Sequence, residues 1–168
     1  AWSGDVQRNI PTGFSSNSRP ASLGALDRPL RATGLQSIAR EKGEAQLGTL
    51  GGGNHFLEAQ VDEDGIIWFM VHSGSRHTGL RIANEYHRQA FEITEKRGLP
   101  VGRDLASLPL DDDSGQNYLH DMTWATDFAL ESRLRMVRGL AEQFASKVER
   151  LAVDFDPGAA EVINIHHN

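Results

Sequence analysis

The sequence predicts an α+β protein in which a mixed or antiparallel sheet, with a hairpin over residues 55–72, packs against long helices. The hairpin is indicated by two strand-like segments, residues 55–61 and 66–72, that flank the turn-forming run Asp62-Glu63-Asp64-Gly65. The helices are indicated by two later stretches in which apolar residues recur every three or four positions. Because residues 66–72 are apolar on both faces, we expect this strand to be central in the sheet.

Helical periodicity is clearest in residues 80–97 and in residues 116–151. Gly98 follows the first stretch directly and is typical of the position just after a helix. The second stretch contains no proline and a single glycine, Gly139, so it predicts either one long helix or two. A shorter helix is predicted over residues 35–42, ended by Gly43 at the position just after the helix.

The other segments are shorter or less regular. Residues 1–31 are rich in Gly, Ser, Pro, Arg and Asn, and they predict an extended, irregular entry segment. Residues 45–50 and 161–165 are predicted to be strands, and the second of these leads into His166-His167-Asn168.

Composition restricts the classes of function. The chain has 168 residues, a length typical of one domain with its own core, and a formal net charge of −6. This charge argues against a broad basic surface for nucleic acid, although a local cationic pocket stays compatible with it. The chain has no cysteine, and therefore neither a disulfide nor a thiolate ligand. Its apolar runs are too short to cross a bilayer, so we expect a cytoplasmic protein with no membrane partner.

Residues 48–58, GTLGGGNHFLE, place three consecutive glycines directly before a polar pair. Glycine is costly where it is not required, so such a run indicates tight turning or a backbone close to a ligand. Two further polar stretches, residues 72–77 and 166–168, share this character, and we expect the three to converge on one site. The hairpin supports this expectation because His55 begins its first strand and His72 ends its second.

Each candidate residue also has a structural interpretation. Imidazole is the commonest metal ligand, but a lone histidine is more often a surface or packing residue than a ligand. Asn54 either donates to a phosphate or turns the chain after the glycines. Arg76 completes an anion site at a helix N-terminus or is solvated beside a capping Ser75. Strand alternation directs Glu58 away from the face of His55, and it allows only one of His166 and His167 to reach the site.

The motifs in their order resemble the RtcB family of RNA ligases. They are GTLGGGNHFLE, then HSGSR, then a helix with Tyr118-Leu119-His120-Asp121-Met122 and a downstream Arg133, then HHN. Residues 10–13, IPTG, are also similar to an IPxG stretch of the family. The resemblance implies joining of RNA 2′,3′-cyclic phosphate or 3′-phosphate ends to 5′-hydroxyl ends, in tRNA splicing and RNA repair. It also implies GTP and Mn²⁺ as cofactors, RNA as the partner, and a histidine–GMP intermediate.

The resemblance assigns roles to eight residues, all numbered in this sequence. Three histidines resemble manganese ligands: His55, His72 and His167. Four residues resemble parts of the nucleotide site: Asn54 on the phosphate beside the metals, His55, and Phe56 with Glu58 in the guanine pocket. Two residues resemble contacts to RNA phosphate: Arg76 and Asn168.

This sequence also departs from the family pattern. The family's Asp-x-x-Cys metal motif lies upstream of these motifs and its nucleophilic histidine lies downstream, so we expect no catalytic residue within this chain. His77 stands where the family usually has glycine, and Ser132 where it tends to have asparagine. Residues 1–168 are therefore interpreted as a single partial domain, the central region of an RtcB-like domain, and the isolated chain is predicted to be inactive. The alternative is a non-catalytic histidine metal-binding module or an inactive remnant.

Overall fold

A computed structural model describes residues 6–7, 9–99, 102–148 and 161–166. Within these residues, the helices and strands named below follow one another in the order α1, β1, β2, α2, α3. Their bounds are Gln36–Gln46 for α1, Phe56–Val61 for β1, Ile67–His72 for β2, Arg76–Lys96 for α2 and Asp113–Val148 for α3. Single 3-10 turns occupy Gly24–Leu26, Thr33–Leu35 and Arg103–Leu105. The protein is thus α+β, as the sequence predicts.

The predicted hairpin is confirmed. β1 and β2 are antiparallel, with Phe56 opposite His72 at one end and Val61 opposite Ile67 at the other. Asp62 closes the turn, because its carboxylate accepts from the backbone N–H groups of Asp64 and Ile66 and from Trp68 Nε1. The register follows from this short, self-bonded turn.

The expectation that the second strand is central is not met in the described part of the chain, where the sheet has two strands. Alternate residues of β2 instead face opposite environments. Phe69 and Val71 pack inward, whereas Trp68 is 41% exposed and Met70 is 45% exposed. A continuous apolar run therefore does not show that both faces of a strand are covered.

The larger part of the core lies between the three helices and the segment that precedes α1. Trp124 and Phe128 of α3 stack with ring centroids 5.4 Å apart, and Trp124 Nε1 donates to Leu26 O at 2.8 Å. Leu23, Leu26 and Leu30, from the segment expected to be irregular, are buried here. Outside its 3-10 turn at Gly24–Leu26, this segment around Leu23 and Leu30 is irregular, but it is a packed part of the core.

A second cluster joins the hairpin to α3. Ile10, Leu50, Met136 and Leu140 form its buried centre, and Leu57, Phe69 and Val71 pack against them from the inner face of the sheet. This packing places the His55/His72 end of the hairpin beside the middle of α3. The helix spans 36 residues and passes through Gly139, so the long periodic stretch forms one helix and not two.

Two strand predictions are wrong. Residues 45–50 are not a strand, because α1 passes through Gly43 and ends only at Gln46. A Cβ at Gly43 would lie 3.3 Å from Leu23 Cδ2 and 3.6 Å from Phe128, so this glycine permits close packing and does not end the helix. Residues 161–166 are exposed and have no regular structure.

Helix α2 begins at Arg76, earlier than the periodicity indicated, and Gly98 follows its end with φ +63° as expected. None of the helices in the described ranges combines the length and the apolar character that a membrane span requires.

A candidate metal and phosphate site

The glycine loop turns at Gly51, where the backbone has φ +95°. A Cβ at this position would lie 1.8 Å from Arg76 Nη1 and 2.5 Å from His55 Nδ1. The loop also pairs with residues 11–13, since Gly13 N donates to Gly51 O at 2.7 Å and Leu50 N donates to Pro11 O at 2.9 Å. Glycine is required here both for the conformation and for the close approach of two functional side chains.

His55 is oriented by the backbone of the same loop. Its Nδ1 lies 3.0 Å from Leu50 O, which fixes the proton on Nδ1 and leaves the lone pair on Nε2. The hydroxyl of Ser73 donates to the same carbonyl oxygen at 2.8 Å. A histidine whose one nitrogen donates to a carbonyl presents the other nitrogen as a metal ligand.

The hairpin brings His72 next to His55. Their ring centroids are 6.0 Å apart, and the ring of Phe56 lies 5.3 Å from that of His72. Two imidazoles that share a cation through metal–nitrogen bonds of about 2.1 Å, at tetrahedral or octahedral angles, have centroids roughly 4.6–5.3 Å apart. The observed separation of 6.0 Å makes the two rings neighbours, and sharing a cation would require them to move closer together.

The environment of His55 favours the neutral imidazole that binds metals. Burial lowers its pKa, and the charges of Arg76 and His72 lower it further. The hydrogen bond to Leu50 opposes these effects only in part.

Arg76 forms the cationic side of the site. Its Nε donates to Thr49 Oγ1 at 3.2 Å and its Nη2 donates to Gly13 O at 3.1 Å. Partial burial lowers the pKa of this guanidinium, which nevertheless keeps its charge at any physiological pH. Arg76 also has φ +57°, an uncommon conformation for a residue other than glycine. The two hydrogen bonds leave further N–H groups of the fork for an anion.

A third motif stretch reaches this region through Arg133 of α3. Arg133 Nη1 donates to Ser73 O at 2.9 Å, while Nε and Nη2 donate to Asn164 Oδ1 at 3.1 and 2.8 Å. Arg133 Nη2 also lies 3.4 Å from His166 Nδ1. Residues 164–166 are thereby held against the loop that follows His72.

The remaining predicted site residues within the described ranges are exposed. Asn54 is exposed in the turn before β1, and Phe56 is 39% exposed on the outer face of the hairpin. Glu58 is also exposed and shares that face with Phe56 by strand alternation. His167 and Asn168 lie outside the described residues. Within the described ranges, no group of three or more His, Asp or Glu side chains is placed to hold a metal ion.

Several contacts of the site have no signal in the sequence that points to them. Thr49 and Gly13 hold Arg76, and Ser73 shares the carbonyl bound by His55. Their residue types are ordinary for turns, and only the three-dimensional structure shows their partners. Arg133 could be found only through the resemblance, which places it downstream of the YLHDM stretch.

A family model described as tRNA-splicing ligase RtcB matches residues 6–168, which include all of these motifs. This chain belongs to the RtcB family. It is 36% identical to the tRNA-splicing ligase RtcB of Pyrococcus furiosus over an alignment of 145 positions, which covers 77% of this chain and 15% of that protein. It is 33% identical to the tRNA-splicing ligase RtcB of Pyrococcus horikoshii over an alignment of 182 positions, gaps included, which covers 99% of this chain and 19% of the relative.

A third relative, the tRNA-splicing ligase RtcB of Nanoarchaeum equitans, is 35% identical over 177 aligned residues. That alignment covers 95% of this chain and 36% of the relative. This RtcB-family chain thus spans well under half the length of each of the three relatives.

Proposed function

We propose that this chain supplies part of the metal, nucleotide and RNA-end site of a GTP- and Mn²⁺-dependent RNA ligase. The reaction joins RNA 2′,3′-cyclic phosphate or 3′-phosphate ends to 5′-hydroxyl ends, as in tRNA splicing and RNA repair. One observation carries the proposal: His55, His72 and Arg76 meet around the Gly51 turn in an RtcB-family chain. The relatives' names, tRNA-splicing ligases, support the RNA substrate.

The donor set fits manganese in part. His55 presents Nε2, the ring of His72 is its neighbour at 6.0 Å between centroids and would move closer to share a cation, and His167 is the proposed third ligand. Neutral imidazoles without carboxylates hold Mn²⁺ weakly, so the affinity of this chain alone is expected to be low. A bound metal would neutralise phosphate oxygens during the transfer.

The residues around the metal ligands would bind and orient the phosphates. Arg76 is held at Thr49 and Gly13, so little side-chain entropy is lost when it binds an anion. Asn54 is the proposed donor to the nucleotide phosphate, and Phe56 with Glu58 the proposed contacts to guanine. Asn168 is proposed to contact RNA phosphate together with Arg76.

Metal binding tests the proposed ligands. Mn²⁺ titrated into the chain and followed by electron paramagnetic resonance should show weaker binding to the His55→Ala and His72→Ala variants, by about tenfold or more. His87→Ala, an exposed histidine of α2, is the matched control and should bind as the parent does. Equal affinity in all four proteins would reject the assignment of His55 and His72.

The ligation assay tests where the nucleophile lies. The purified 168-residue chain, given GTP, Mn²⁺, a 3′-phosphate RNA and a 5′-hydroxyl RNA, is expected to form no joined product. We expect this because the proposed metal ligands and phosphate contacts include no residue that takes the GMP. A joined product would place the nucleophile within this chain and overturn that part of the proposal. Mn²⁺ binding without any Mn²⁺-dependent GTP binding would favour the non-catalytic metal-binding module.

A further inference from the structure

One turn of α3 contacts all three motif stretches. Ser132 Oγ accepts from Gly48 N at 3.0 Å, at the start of the glycine loop. The next residue, Arg133, donates to Ser73 O in the loop after His72 and to Asn164 Oδ1 in the last described segment. These three stretches are far apart in the sequence. Among the contacts described above, no other helix or strand touches all three.

We propose that Ser132 and Arg133 are positioning residues that set the spacing of the glycine loop, the Ser73 loop and residues 161–166. The inference rests on the proposed function, because it concerns the same site. The inference goes beyond the proposed function because it names the turn of α3 that holds the three segments of the site in place.

The environment of the pair supports this role. Ser132 is fully buried, so its hydroxyl is fixed and its loss would leave the N–H of Gly48 without that partner. Burial lowers the pKa of Arg133, and no carboxylate contacts its guanidinium among the described residues. Its partners among the described residues are a backbone carbonyl, an amide oxygen and an imidazole, which accept hydrogen bonds and leave its charge unneutralised.

The geometry requires a guanidinium. Arg133 Nη1 donates to Ser73 O, while Nε and Nη2 both donate to Asn164 Oδ1 from another edge of the planar guanidinium. A lysine ammonium is a point charge on a flexible stem and cannot hold two partners in this fixed orientation. Arg133→Lys should therefore keep the positive charge but restore the docking only in part.

Docking of residues 161–166 can be measured directly, since the chain has no native cysteine. A nitroxide on Glu161→Cys should broaden the amide signals of Ser73 and Gly74 by paramagnetic relaxation. We expect Arg133→Met to abolish this broadening and Arg133→Lys to restore it only in part. Arg138→Met, an exposed arginine of the same helix, should keep it. Broadening in Arg133→Met equal to that in the parent would overturn the proposal.

Mn²⁺ affinity separates this inference from the proposed function. Arg133→Met should bind Mn²⁺ about tenfold more weakly, the usual effect of losing a residue that supports metal ligands, while Arg138→Met binds as the parent does. Helix content from circular dichroism should be the same in both variants, because the two arginines lie on the same continuous helix. If the parent binds no Mn²⁺, the metal assignment fails, and the nitroxide experiment still decides whether Arg133 docks the segment. Loss of broadening with undiminished Mn²⁺ affinity would overturn the positioning role.

Discussion

At the scale of single residues, Gly51 shows how tightly the candidate site is built. Its left-handed conformation admits a side chain only with strain, and the space that a Cβ would need is taken by Arg76 and His55. Gly53 is also left-handed, with φ +74°, but has no atom within 4 Å of an added Cβ. A side chain at Gly53 would therefore introduce backbone strain alone, whereas a side chain at Gly51 would add steric overlap.

Substitution of these two glycines gives a test at this scale. Gly53→Ala should cost about 1–2 kcal/mol in the free energy of unfolding, the usual cost of a left-handed alanine. Gly51→Ala should cost more, and it alone should weaken Mn²⁺ binding, because it displaces Arg76 and His55. Urea unfolding and Mn²⁺ titration measure the two effects. Equal changes in both variants would contradict the role of Gly51 in placing these side chains.

At the scale of elements, α3 is tied to its neighbours by the buried carboxylate of Asp121. This carboxylate accepts from the N–H groups of Arg31 and Ala32, from the hydroxyl of Tyr86 and from His120 Nδ1. Burial by itself would raise the pKa of Asp121, but the hydrogen bonds from His120, Ala32, Arg31 and Tyr86 outweigh it and hold the pKa below its usual range. One side chain thus links α3, α2 and the segment before α1.

This lowered pKa predicts how stability depends on pH. The folded pKa lies below the unfolded pKa of about 3.9, so the stabilisation is complete above the unfolded pKa. It is lost as the pH falls through the lowered folded pKa. Asp121→Asn should therefore be destabilised by about 2–4 kcal/mol at neutral pH, with a smaller difference from the parent in acid.

Urea unfolding between pH 7 and pH 3 measures the difference. Asp127→Asn is the control, since Asp127 pairs with Arg28 at a partly exposed position and should change stability by less than about 1 kcal/mol. A gap between parent and Asp121→Asn that stays constant across this range would contradict the assigned ionisation.

Local sequence determined some elements and not others. The hairpin was predictable because Asp62 and its turn are local and the strand period is short. The strand expected at residues 45–50 was wrong, because α1 runs past Gly43 to Gln46, and Gly43 packs closely against Leu23 and Phe128. That packing is tertiary, and no local pattern encodes it.

At the scale of the whole molecule, the candidate site is assembled from contacts between distant segments. Arg76 and Gly13 are 63 positions apart, and Arg133 and Ser73 are 60 positions apart. The motifs identified the positions of His55, His72 and Arg76, because an unusual glycine run and a hairpin register are visible in the sequence. The supports at Gly13, Thr49 and Arg133 were not predictable in the same way, because their partners are fixed by packing of the hairpin against α3.

The oxygen of Leu50 has a consequence for how the site can lose its shape. It accepts hydrogen bonds from both His55 Nδ1 and the hydroxyl of Ser73. One carbonyl group therefore orients the residue before β1 and the residue after β2. Rotation of the peptide between Leu50 and Gly51 would break both bonds in the same event. A rotation of this peptide would therefore release His55 and the Ser73 loop together, and by this route the two sides of the site open as one unit.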